Sequence, residues 1–176
     1  MANREALREL QSRLATRLQA ARTEGVVASW LAVEAGGGKY LFPLSHAGEI
    51  FPWAVPQPVP YTHAWFMGVA NLRGGLYGVV DLASFVGGGV PSARTDLART
   101  ESRLIALNAL LDINSALLID RLAGLRNLDA FTESSDPPEG SPGYFGSRFT
   151  DSSGTHWQEL NLQALSQQTH FLSISA

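Results

Sequence analysis

The chain has 176 residues, no cysteine, a formal net charge of −3 and a hydrophobic fraction of 45%, which suits one large domain or two small ones sharing a core. Lack of cysteine excludes disulfides and thiolate metal sites, and the mildly acidic balance offers no basic face for nucleic acid. No apolar run reaches the ~18 residues of a membrane span, and the charged start from Arg4 onward lacks a signal-peptide pattern, so the chain reads as soluble and cytoplasmic.

Residues 1–25 predict an amphipathic helix. Leu7, Leu10, Leu14, Leu18 and Ala21 recur at three- and four-residue spacing, Asn3 suits the N-cap and Gly25 the stop. Arg17 stands where the next apolar heptad position would fall, which argues against a long coiled coil. Five arginines (4, 8, 13, 17 and 22) flank the stripe. The simpler reading is a helix docked on the protein's own body; the sharper one is a helix that docks on a partner or an acidic surface.

The remainder, 26–176, is rich in short strand-like runs. "VVASWLAVEA" and "KYLFPL", separated by Gly36-Gly37-Gly38, predict a hairpin. "FPWAVPQPVPYTHAWF" carries prolines at 52, 56, 58 and 60 and cannot be regular throughout. "GVANLRGGLYGVVDL" predicts two strands about a Gly74-Gly75 turn, with Val69 opposite Val80 and Leu72 opposite Tyr77. "ASFVG" suggests a helical turn, followed by a linker from Gly87 to about Thr100. "RLIALNA" and "INSALLIDRLAGL" are again strand-like, and Thr132 to Gly143 predicts a polar, flexible connecting loop.

The second half echoes the first. "YFGSRFTDSSGTHWQELNLQAL" parallels "FMGVANLRGGLYGVVDLASF", with Gly146 matching Gly68 and Asn161-Leu162 matching Asp81-Leu82. Upstream, "DRLAGL" matches "SHAGEI" and "LIALNA" matches "LAVEAG". Two copies of one small β unit follow, each too short at about 60 residues to hold a comfortable core alone. The fold class is all-β: two barrel-like halves plus an N-terminal helix, with subdomains of about 28–90 and 100–176.

Catalytic chemistry finds little support. His46, His63, His156 and His170 form no H-E-x-x-H or i, i+4 arrangement, and no G-x-S-x-G elbow or nucleotide-binding glycine loop occurs. Glu34, Glu49, Asp81, Asp112 and Asp120 fall in or beside strands without a spacing that pairs them. Asp81, immediately before a helical turn, reads as a structural cap, with Asn161 in the same role in the second half. Arg73 is different, because hairpin stability does not require arginine there. Its guanidinium fork suits a carboxylate, and the second copy carries Asp151 or Ser152 instead.

With "PLSHAGEIF" and "VPYTHAWFMGVANLRGGLYGVVDL", the sequence resembles the CheW family from about Ser29 to Ile174, most strongly up to Val86. Within it, "ARTEGVVASWLAVEAGG", "AGEIFPW" and "VANLRGGLYGVVDLASFVG" look like the adaptors of type IV pilus chemosensory systems, which serve twitching motility. The resemblance implies two intertwined five-stranded SH3-like β-barrels with short connecting helices, no catalysis, no metal and no cofactor. It implies a cytoplasmic adaptor, recruited to membrane-associated chemoreceptor arrays, that joins the cytoplasmic tip of a methyl-accepting chemoreceptor to the regulatory domain of a CheA-type histidine kinase. By the same resemblance, Glu49 and Arg73 form a salt bridge that matters for receptor coupling, and Ala47, Gly68 and Asn71 belong to the partner-binding set. The alternatives are a generic peptide-binding β-barrel and, less favoured, a small carboxylate-dependent hydrolase.

Overall fold

The computed structural model describes residues 11–13, 30–90 and 93–176. The predicted helix over 1–25 lies outside the described residues except for 11–13, which are helical and exposed. The strands are β1 (Trp30–Ala35), β2 (Gly38–Pro43), β3 (Ala47–Pro52), β4 (Phe66–Leu72), β5 (Gly75–Asp81), β6 (Arg103–Leu107), β7 (Ser115–Ile119), β8 (Arg121–Arg126), β9 (Phe131–Ser135), β10 (Phe145–Asp151) and β11 (His156–Leu160). Short helices α1 (Leu82–Val86), α2 (Asp96–Glu101), α3 (Leu162–Ser166) and α4 (Thr169–Leu172) join or follow them.

The strands form two sheets, ordered β8-β1-β2-β11-β10-β9 and β3-β6-β7-β5-β4. Each sheet borrows a hairpin from the other half of the sequence: β1 and β2 join the late strands, β6 and β7 the early ones. The second order maps onto five strands of the first, β3 on β8, β6 on β1, β7 on β2, β5 on β11 and β4 on β10. The one parallel pair in each sheet, β5 with β7 and β11 with β2, falls at the same place in both orders. The echo in the sequence is therefore a duplication with exchanged hairpins.

The exchange explains why β1, β6 and β7 read as nearly continuous apolar runs. Leu31, Val33, Ile105, Leu107, Leu117 and Ile119 face a central core shared by both sheets. Their alternating neighbours face elsewhere, Leu104, Ala106, Ala116 and Leu118 into one smaller cluster, Trp30 and Ala32 into another. Strands buried on both faces lose the polar-apolar alternation of a half-exposed strand. Leu31 thus corresponds to Ile105 rather than to Leu104, so the sequence match of "LAVEAG" to "LIALNA" is one residue out of register. A slip of one residue exchanges the two faces, and only the packing distinguishes them.

Three further expectations are corrected. The β4–β5 turn is Arg73-Gly74, with Leu72 opposite Gly75 and Val69 opposite Gly78; Arg73 and Gly74 both have positive φ, 50° and 84°, as a two-residue type I′ turn requires. The 132–143 segment is not all loop, since Phe131–Ser135 pairs with β10 as an outer strand. Its side chains from Thr132 to Ser135 are exposed, so no apolar alternation marks it. The 87–100 linker contains the start of α2, whose Thr95 hydroxyl accepts from Ala98 N–H as an N-cap.

Candidate functional site

The β4–β5 hairpin brings its charged tip back over β3. Asn71 Oδ1 accepts a hydrogen bond from Gly74 N–H at 3.0 Å, so the asparagine builds the turn that holds Arg73 in its left-handed conformation. Arg73 forms a salt bridge with Glu49 of β3. Its guanidinium also lies 5.9 Å from the centre of the Phe51 ring, which in turn packs 6.0 Å from Tyr77. Side-chain exposure is 76% for Arg73 and 44% for Glu49, so screening limits the pair to about 0.2–1 kcal/mol of folding stability. It is an exposed, oriented pair of charges on an apolar ledge.

Beside it runs a groove of about 230 Å³ of mixed polarity, lined by Glu49, Tyr77, Leu107, Asn108, Ile113 and Asn114 among others. Exposed Leu76 lies next along the hairpin, 61% accessible. Ala47, half-buried opposite Leu107, belongs to the same strand as Glu49. Gly68 packs against the proline-rich segment. It is buried at a bulge in β4 with φ of 125°, and a Cβ there would stand 2.0 Å from the Gln57 carbonyl oxygen. The Gln57 and Val69 backbones exchange hydrogen bonds of 2.7 and 2.9 Å at that point, so glycine lets the proline-rich segment lie against β4. Packing alone thus requires glycine at this position.

Asp81 is also corrected. It precedes α1, yet its side chain caps nothing. Both oxygens accept from Arg94, Nη1 to Oδ2 and Nη2 to Oδ1, each at 2.9 Å. Arg94 Nε donates to Asp120 Oδ1 at 2.5 Å, and Asp120 Oδ2 accepts from Gly36 N–H at 2.7 Å. Burial opposes the charge of Arg94, but the hydrogen bonds it donates to Asp81 and Asp120 outweigh that and raise its pKa above the ordinary value. One linker arginine thereby ties the end of β5 to the β7–β8 and β1–β2 turns. Nothing in the sequence marked Arg94: a lone arginine in a glycine- and serine-containing linker has no local signature. Asn161 does cap, its Oδ1 accepting from Ala164 N–H at 3.0 Å.

The remaining titratable groups are dispersed or neutralised. Glu34 is held by Lys39 at 2.6 Å and by Arg121 at 2.7 Å; the Lys39 hydrogen bond, with Arg121 and against partial burial, keeps its pKa below the usual value. Glu34, Glu49, Asp81 and Asp120 each meet a cation, and the two that converge, Asp81 and Asp120, are bridged by Arg94 in a nearly buried ion-pair network. His63 and His170 pack about Trp65, their rings 5.5 Å apart, whereas His156 shares a hydrogen bond with Thr150. Among the described residues, no group of three or more His, Asp or Glu side chains is arranged to hold a metal.

The second half has no counterpart to the Glu49–Arg73 pair. Ile50 pairs with Ile105 as Leu125 pairs with Leu31, which sets Gly124 in the place of Glu49. At the tip of the equivalent hairpin, Asp151 turns inward onto Trp157 Nε1 and the Ser153 and Thr155 N–H groups. Those bonds, Trp157 foremost, lower its pKa. Both turns thus have internal hydrogen bonds, and the first copy adds an exposed salt bridge from its tip to β3.

Comparison with known proteins accords with this architecture. The CheW-like domain model matches residues 29–170. The chain is 27% identical over 157 residues to protein PilI of Pseudomonas aeruginosa, covering 85% of this chain and 82% of that one. Its fold is similar to that of the scaffolding protein TtCheW from Thermoanaerobacter tengcongensis, with a TM-score of 0.64 at 16% identity over 82% of this chain and 95% of that one. The exchanged two-sheet fold and the family match over most of the sequence together establish that this chain belongs to the CheW-like family, whose members are non-enzymatic scaffolding adaptors.

Proposed function

We propose that the chain couples the cytoplasmic tip of a methyl-accepting chemoreceptor to the regulatory domain of a CheA-type histidine kinase, within a chemosensory system that controls type IV pilus twitching motility. The pilus assignment rests on the likeness to PilI. The receptor-side assignment rests above all on one observation, the exposed Glu49–Arg73 pair beside a groove that mixes apolar Leu107 and Ile113 with polar Asn108 and Asn114. A receptor tip is a helical hairpin, and a helix presents alternating apolar and charged positions that such a rim can receive. A single exposed ion pair adds little to folding but fixes register and selects against partners of the wrong charge.

An extended peptide added to a strand edge is less well served here, since the outer side of β4 beside this hairpin is already bridged by Gln57. Recruitment to receptor arrays at the membrane follows from receptor binding; no helix among the described residues is long and apolar enough to cross a membrane. The experiment is co-sedimentation of the purified chain with a receptor signalling domain and, separately, with a CheA-type regulatory domain. Saturable binding to both is expected. Binding to neither would end the proposal.

A further inference from the structure

Phe51 lies beneath the charged hairpin tip, and an irregularity in β3 delivers it there. Between its Ala47–Leu107 and Ile50–Ile105 pairs, β3 holds one residue more than β6, which makes a β-bulge. Gly48 takes the crowded position in it, where a Cβ would stand 3.0 Å from the Ala106 and Leu107 carbonyl oxygens. Ala47 and Ile50, three residues apart, are therefore both paired with residues of the central core. Glu49 and Phe51 share the other face. Phe51 is 6% exposed and pairs with Leu104 in the smaller cluster.

Arg73 uses both residues of that face. Its Nη1 meets the Glu49 carboxylate, and its guanidinium carbon lies 5.9 Å from the Phe51 ring centre, within cation–π reach. A guanidinium can stack on a ring and still offer its fork to a carboxylate. The carboxylate alone would let so exposed a side chain pivot about one contact; the ring beneath it removes that freedom. Tyr77 braces the ring from the neighbouring hairpin at 6.0 Å. Tyr77 is in turn held against Gly75, where a Cβ would stand 2.9 Å from its Cε2.

The second half inverts this arrangement. Arg126 takes the place of Phe51, one residue after Leu125, and Trp157 takes that of Tyr77, four residues before Asn161. Arg126 lies 5.7 Å from the centre of the Trp157 ring, which is 4% exposed. There the edge strand supplies the cation and the hairpin supplies the ring, while the tip carries Asp151. Of the two halves, the first sets the ring on the edge strand and the cation at the exposed tip.

We propose that Phe51 is a positioning residue of the partner-binding rim, its ring seating the Arg73 guanidinium so that the cation meets a receptor tip in one orientation. The proposal rests on the receptor-side reading above and adds to it a buried residue that acts through Arg73.

Two measurements on the full chain test it. The first needs no partner. In proton NMR spectra the Arg73 δ-methylene resonances should be shifted upfield by the Phe51 ring current; the shift should vanish in Phe51→Leu and persist in Phe51→Tyr, which keeps a ring. The second is titration of a receptor signalling domain into the parent chain, Phe51→Leu, Arg73→Gln and the double variant. Phe51→Leu should weaken binding about two- to five-fold, the factor that an exposed cation–π contact supplies. In the Arg73→Gln background the same change should have no further effect, as expected of a residue that acts through its neighbour. Phe51→Met replaces Phe51→Leu if that variant fails to fold. An unshifted Arg73 resonance in the parent chain, or an equal loss of affinity in both backgrounds, would overturn the proposal; the latter would make Phe51 a core residue only. A parent chain that bound no receptor domain would end the proposed function instead, and the NMR shift would still decide whether Phe51 seats Arg73.

Discussion

Arg94 and Asp81 meet through two parallel hydrogen bonds of 2.9 Å, with only 8% and 6% of their side chains exposed. Such a fork-to-fork pair is strong because both partners are ionised and nearly dry. Its cost is equally clear: either charge left alone in that site is unsolvated.

Arg94→Ala should therefore destabilise the protein by about 3–5 kcal/mol, the usual loss when one member of a buried pair is removed. Asp81→Asn should act in the same direction. Asn161→Ala, which removes a true cap at the equivalent helix, should cost only about 1 kcal/mol. Urea denaturation of the three variants checks the ranking. Equal losses would return Asp81 to the capping role.

Gly68→Ala should leave little folded protein, because its Cβ would collide with the Gln57 carbonyl and its φ of 125° disfavours any side chain. Asn71→Ala, which removes one turn hydrogen bond, should cost about 0.5–1.5 kcal/mol. Thermal unfolding of both, set beside partner binding, separates the hairpin's scaffold from its contact residues. A well-folded Gly68→Ala protein with impaired binding would place Gly68 on the contact surface and contradict the packing role.

Acid stability has identifiable sources. Glu34 and Asp151 both have lowered folded-state pKa values, from Lys39 and Arg121 in one case and from Trp157 and backbone N–H groups in the other. Their contributions are present above the ordinary carboxylate values of about 4.3 and 3.9, and vanish as pH falls through the lowered folded values. Glu34→Gln and Asp151→Asn should each flatten the loss of stability below about pH 4. At the alkaline end, burial with nearby Tyr40 pushes Tyr144 up to about 12. That contribution is complete below the ordinary tyrosine value of about 10 and is lost as pH rises through the folded one. Urea midpoints measured across pH test both ends.

Much of this fold was legible because its signals are local. β4, β5, α1 and the repeated hairpins announce themselves through glycine turns, β-branched runs and matching motifs. β9 was missed because an outer strand with exposed Thr132, Glu133, Ser134 and Ser135 has the composition of a loop, and only its pairing with β10 reveals it. The Glu49–Arg73 pair was legible through family resemblance, since its members are distant in sequence. Arg94 was not. Its role exists only once the exchanged hairpins bring Asp81, Asp120 and Gly36 together, and no spacing along the chain encodes that meeting.

The central claim is that the Glu49–Arg73 rim receives a receptor's helical tip, and one charge-exchange measurement addresses it. Affinity for the receptor signalling domain is measured for the parent chain, Arg73→Glu, Glu49→Arg and the double exchange, alongside their melting temperatures. Both single variants should stay folded, with melting temperatures close to the parent's, because the pair is exposed and contributes only about 0.2–1 kcal/mol. Both should bind the receptor more weakly, and the double exchange should recover part of the loss, as directly coupled residues do. Unchanged affinity in Arg73→Glu, or unfolding of that variant, would contradict the account.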